Sequence, residues 1–240
     1  MSPKLLIMKI LRFLVLGYCI LLGLIACKKS TTEDIASADV FIQSIKNPID
    51  TTQTLYAAVS SIFSYSSMTS VSVIDPNNST KQLTNYANLG NSFYNDPVYS
   101  ATLPSVGVYN YTVKFSDGQS KAYTNTLLAA TLPPPVITSL GKNVANDSIN
   151  ITWKAVANAQ AYQMKVTKGT GTSLTQVYYL APFYDASTPL RPVLTMGVPL
   201  VTISAYGTGT YTFEIDAILY ETSAYTFIQA VGISTQYFTY

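Results

Sequence analysis

Tyr211-Thr212-Phe213-Glu214-Ile215-Asp216-Ala217 alternates at every position: Tyr211, Phe213, Ile215 and Ala217 fall on one side of an extended chain, and Thr212, Glu214 and Asp216 on the other. Successive side chains of a strand point to opposite faces, so this stretch reads as a strand with one buried and one wet face. The same rhythm recurs upstream. Ile149, Ile151 and Trp153 share a face, as do Tyr162, Met164 and Val166, and as do Tyr109, Tyr111, Val113 and Phe115. Residues 55–59 and 67–74 read as further strands, with Asp75-Pro76-Asn77-Asn78 and Asp117-Gly118 as turns. Short alternating runs between turn residues, without a long helical period, predict an all-β fold of the sandwich type.

Composition agrees. Charged residues make up 11% of the 240-residue chain, against about 25% in ordinary soluble domains. Thr, Ser, Tyr and Asn take their place and favour strand and turn over helix. Thr131-Leu132-Pro133-Pro134-Pro135 interrupts the chain near its middle. Consecutive prolines donate no ladder hydrogen bonds and favour a stiff extended segment. The expectation is therefore two tandem sandwiches, residues 40–131 and 136–240, joined by a proline linker at 132–135.

The N-terminus reads as an address. Lys4, Lys9 and Arg12 precede an uncharged apolar run of 14 residues, from Phe13 to Ala26. A basic head, a short apolar middle and small residues at the end make a secretory signal; a spanning helix would want about 20 apolar residues. Leu24-Ile25-Ala26-Cys27 closes the run and resembles the lipobox of bacterial lipoproteins. The resemblance implies cleavage between Ala26 and Cys27 of the 1–26 signal peptide, and acylation of the Cys27 thiol. Cys19 leaves with the signal, so Cys27 becomes the only cysteine and has no disulfide partner. Two or more acyl chains anchor a protein stably, at about 0.8 kcal/mol per buried methylene. Residues 27–39 read as a flexible polar tether. The expected address is the cell envelope, anchored in the outer membrane, with the periplasmic or surface face left open. Lys28 and Lys29 precede Glu33 and Asp34, which does not decide it.

Two resemblances follow from the strands. Pro135-Val136-Ile137, INITWKAV with Trp153, residues 161–166 and GTGTYTFEIDAI are similar to strands A, B, C and F of a fibronectin type III domain. That likeness implies a corner tyrosine at Tyr211, its hydroxyl bonded to backbone upstream. Residues 173–197, with Pro182, Pro189 and Pro192, depart from the pattern. GVYNYTVKFSDGQSKAY resembles the late strands of an immunoglobulin-like or polycystic-kidney-disease-type domain.

The chemistry available to the chain is narrow. Without any histidine it lacks the commonest general base and metal ligand. Beyond the signal, 11 basic and 12 acidic side chains leave a net charge of −1, and no basic face for nucleic acid. Glu214 and Asp216 lie two residues apart on one strand face; they could act as a hydrolase pair, or simply form a solvated face, which is the reading preferred here. Asp75-Pro76-Asn77-Asn78-Ser79 lacks the spacing of a calcium loop and reads as a turn. Gly169-Thr170-Gly171-Thr172 and Gly207-Thr208-Gly209 read as hairpin loops. No catalytic residue, metal or cofactor is expected.

The open lead is tyrosine, which occurs 19 times. Tyr94, Tyr99, Tyr178, Tyr179 and Tyr184 lie outside clean alternation, and are candidates for a surface that binds glycans or partner envelope proteins; alternatively they pack at sandwich edges or between domains. The expected function is a lipid-anchored, non-catalytic binding or spacer module, similar in layout to accessory lipoproteins of bacterial glycan-uptake systems. A structural or adhesive surface protein is the alternative.

Overall fold

The runs that alternate in sequence are strands in the computed structural model, which describes residues 35–169, 174–183, 193–222 and 227–240. Before the prolines come β1 (Ala36–Lys46), β2 (Thr54–Ser64), β3 (Met68–Ile74), β4 (Thr80–Gln82), β5 (Thr84–Asn85), β6 (Ser92–Tyr94), β7 (Gly107–Phe115) and β8 (Ser120–Leu127). After them come β9 (Ile137–Asn143), β10 (Ser148–Lys154), β11 (Ala161–Lys168), β12 (Thr175–Phe183), β13 (Val193–Pro199), the short helix α1 (Leu200–Ser204), β14 (Thr210–Tyr220) and β15 (Ile228–Thr239). Signal peptide and cleavage site, Ala26 and Cys27 included, lie outside the described residues.

Each half buries its alternating face. In the first, the sheet β4-β3-β7-β8 covers β1, β2 and β6. Val40, Ile42, Ile62, Val71, Tyr111, Val113 and Phe115 meet there, each at most 2% exposed. In the second, β13-β10-β9 covers β12-β11-β14-β15, and Ile149, Ile151, Trp153, Met164, Val166, Phe213 and Ile215 are sealed between the layers. Burying one such side chain contributes about 1.5–3 kcal/mol. The two cores separate at the prolines: Leu127 ends the first, and Leu132 belongs to the second.

The sheets do not separate there. One eight-stranded sheet, β12-β11-β14-β15-β1-β2-β6-β5, runs through both halves. Its centre is the only parallel pairing among the described strands, with Ile42 opposite Ala230 and Ile45 opposite Ile233. Residues 35–240 cluster accordingly as one compact unit. Residues 36–39, expected to end the tether, instead open β1, because Ala36 and Ala38 face the first core.

The proline segment straps this seam. Leu132, Pro134 and Pro135 are buried. Proline brings no N–H into the interior, so only carbonyls need partners. Ser44 of β1 donates to the Leu132 carbonyl, and Ser234 of β15 donates to that of Pro135 at 2.5 Å.

Tyr211, fully buried, forms the corner that the fibronectin-like pattern implies. Its hydroxyl donates to the Gly207 carbonyl and lies 3.1 Å from the Ile203 carbonyl of α1. Gly207 and Gly209 therefore join a helix to a strand and do not close a hairpin; both hold positive φ, +76° and +146°. Tyr211→Phe is expected to cost about 1 kcal/mol by removing the hydroxyl's hydrogen bond to the Gly207 carbonyl, read as a lower urea midpoint at unchanged slope. An unchanged midpoint would remove the corner's role. Within 173–197, β12 carries Pro182 on the sheet's edge, where a missing N–H is tolerated.

Candidate functional site

β14 and β11 present their polar residues on the face of the large sheet opposite the second core. Glu214 stands across from Lys165, and Asp216 across from Gln163. Lys165 Nζ lies 2.5 Å from the Glu214 carboxylate, and Gln163 Nε2 donates to Asp216 Oδ2 at 3.2 Å. Asp216 is not solvated as expected: it is 7% exposed. Burial, reinforced by Glu214 and opposed by Lys165, pushes the Asp216 carboxyl well above the carboxylate range. Burial works against the Lys165 charge, but Glu214 outweighs it and holds the ammonium protonated.

The segment after β5 reaches into this region. Tyr99 donates its hydroxyl to Gln43 Oε1 of β1 at 2.8 Å. Burial raises its pKa to about 12, with Glu214 and Asp216 adding to the effect. Asp216 Oδ1 is buried with no hydrogen-bond partner among the described residues, which favours the protonated carboxyl.

An open groove of about 1030 Å³ crosses the seam. Gln43, Ile45 and Lys46 of β1 line it, with Asn47, Pro48 and Thr51 from the following turn. Residues 233–237 of β15 line it as well, as do Pro97, Tyr99, residues 135–137 and the Lys165–Glu214 pair. Both halves build one site, and the shared sheet fixes their spacing. Asp216 does not line the groove, so Glu214 and Asp216 do not present two carboxyls to one substrate there.

The expected tyrosines scatter. Tyr99 lines the groove. Tyr94 meets Tyr86 edge-on at 5.7 Å. Tyr178 packs against the second core. Tyr179, 47% exposed, donates to Gln163 Oε1 at 3.2 Å. Tyr184 lies outside the described residues. Sequence reading missed Tyr237, which lines the groove and is 72% exposed. Its signal was present: in Ser234-Thr235-Gln236-Tyr237-Phe238, Tyr237 takes the face opposite Phe238, which packs on the core.

The Asp75 cluster is a turn, with Asp75 Oδ1 accepting the N–H groups of Asn77 and Ser79 at 2.9 Å each. Among the described residues no three His, Cys, Asp or Glu side chains gather, and no helix is long and apolar enough to cross a membrane.

No protein-family model matches the chain, and no curated protein matches it. A solved structure to which it is similar is a tetra-tandem repeat in the extending region of a large adhesion protein. Identity is 13% and the TM-score 0.30, over 85% of this chain and 49% of the other. The match thus spans about half of that chain.

Proposed function

We propose that the chain is a lipid-anchored protein of the bacterial cell envelope, in the outer membrane, whose two sandwiches form a non-catalytic binding module with the seam groove as its ligand site. The groove carries this reading: it is walled by both halves and held by one continuous sheet. The signal and Leu24-Ile25-Ala26-Cys27 support the anchor. Amide and hydroxyl groups beside Tyr99 and Tyr237 suit glycans or a partner envelope protein, since tyrosine offers an apolar ring with a polar end. The continuous sheet also suits a stiff adhesive or spacer element at the surface.

Two measurements test this. Mass spectrometry of the protein recovered from cells is expected to find it beginning at an acylated Cys27, and Cys27→Ser should abolish acylation. Retention of residues 1–26 with a free thiol would overturn the anchor. For the groove, binding found on a glycan array or by pull-down with envelope proteins should weaken about tenfold, or about 1.4 kcal/mol, in Tyr237→Ala and in Asn47→Ala. Binding indifferent to both substitutions would place the ligand elsewhere.

A further inference from the structure

β15 has an open edge inside the groove. β1 is in register with it only as far as Ile45, opposite Ile233, and then turns away at Asn47. β15 continues to Thr239 paired with β14 alone. Beyond its end, Gly209 and Tyr240 exchange both backbone hydrogen bonds, at 2.9 and 3.0 Å. Bonded and non-bonded pairs alternate along an antiparallel ladder. Gln236 and Phe238 therefore direct their N–H and C=O groups to β14. Thr235, Tyr237 and Thr239 turn theirs toward the lane that β1 has left, where no described residue pairs with them.

Such an edge is normally blunted by charge, proline or a bulge. Residues 233–240, Ile-Ser-Thr-Gln-Tyr-Phe-Thr-Tyr, carry no charge, proline or glycine, and are rich in the branched and aromatic residues that suit strands. Open space lies against residues 234–237, between the turn bearing Asn47 and Pro48 and the chain at Pro135 and Val136.

We propose that an uncharged, extended peptide segment of a partner protein adds to β15 as a strand in this lane, in line with β1. The inference rests on the groove being the ligand site, and it names the ligand's chemistry. Main-chain bonds would supply affinity and alternate side chains specificity. One set of side chains would meet the Tyr237 and Tyr99 side, the other the Pro135 and Val136 side. Unpaired donors and acceptors repeating every second residue, about 6.8 Å apart along the strand, match a peptide backbone and not a sugar. A second copy fits poorly, because its own edge lies between the same walls.

The test titrates the mature protein with labelled, uncharged decapeptides bearing Val, Thr or Tyr at alternate positions. Peptides that bind are then N-methylated at alternate residues in either of the two phases. Strand addition predicts that one phase weakens binding by about tenfold or more and the other by about threefold or less. Tyr237→Pro removes an N–H from the open lane and none from the β14 ladder, so it should weaken the peptide about tenfold while leaving the melting temperature within a few degrees. Equal effects of both methylation phases would overturn strand addition. So would a saccharide that binds and is lost in Tyr237→Ala while none of the peptides binds, although the groove would then stand as the ligand site. If neither peptide nor saccharide binds, the groove reading fails as well. A concentration-dependent dimer abolished by Tyr237→Pro would assign the lane to a second copy and overturn the peptide.

Discussion

Gly232→Val is expected to destabilise the protein by about 3 kcal/mol or more, the upper range for overpacking a rigid site. Gly232 lies on β15 in register with Ser44, at the centre of the parallel seam. A Cβ added there would overlap the Pro133 carbonyl group and stand 3.1 Å from the Leu132 carbonyl oxygen. The obstacle is backbone, which Ser44 and Ser234 hold in place through the Leu132 and Pro135 carbonyls, so it cannot swing aside as a side chain could. For a unit of this size the loss corresponds to a melting temperature lower by roughly 10 °C. Gly141→Ala is the control: a Cβ there meets nothing within 4 Å, and the change should stay within about 0.5 kcal/mol. If Gly232→Val melted like Gly141→Ala, the proline strap would not lie on the seam.

The second large effect is pH dependence. Asp39 of β1 accepts the Ile228 N–H on its Oδ2 at 3.0 Å, while its buried Oδ1 has no hydrogen-bond partner among the described residues. Burial raises its pKa from 3.8 to about 6; the Ile228 bond opposes this and Glu221 adds to it. The folded state therefore holds this proton more tightly than the unfolded state does. Its stabilising contribution is complete below pH 3.8, is lost as pH rises toward about 6, and stays lost above that. At about 1.4 kcal/mol per pKa unit the span is about 3 kcal/mol. Asp216 shifts in the same direction for the same reason, burial. Urea midpoints of the wild type should fall between pH 4 and 7, whereas Asp39→Asn should show a shallower fall and a higher midpoint at pH 7. A wild-type midpoint that rises over this range, or is unaltered by Asp39→Asn, would contradict the burial of that carboxyl.

The strands and the two cores were legible because each is a local property: period-two alternation names the buried face of β7, β10, β11 and β14 without reference to any partner. The seam was not legible. β1 and β15 stand nearly two hundred residues apart, and a parallel pair has no connecting turn whose chemistry could announce it. Ala36 and Ala38 looked like tether because small residues serve linkers and tight core positions alike. Asp216 was misread for a related reason: alternation separates apolar from polar faces, but does not tell which polar residues the fold buries. The groove draws on six separated stretches of chain, and no single stretch carried its signature. Tyr99 was singled out for lying outside clean alternation, and Tyr237 was passed over.

The parallel seam makes the two sandwiches one cooperative body. Trp153 is the only tryptophan and is buried in the second core, so its fluorescence reports that half alone, while amide exchange along β3 and β7 reports the other. Urea unfolding of the mature chain should give one transition, with fluorescence and exchange midpoints coinciding in the wild type. Two separate transitions, with Trp153 and the β3–β7 amides lost at different urea concentrations, would contradict the shared sheet.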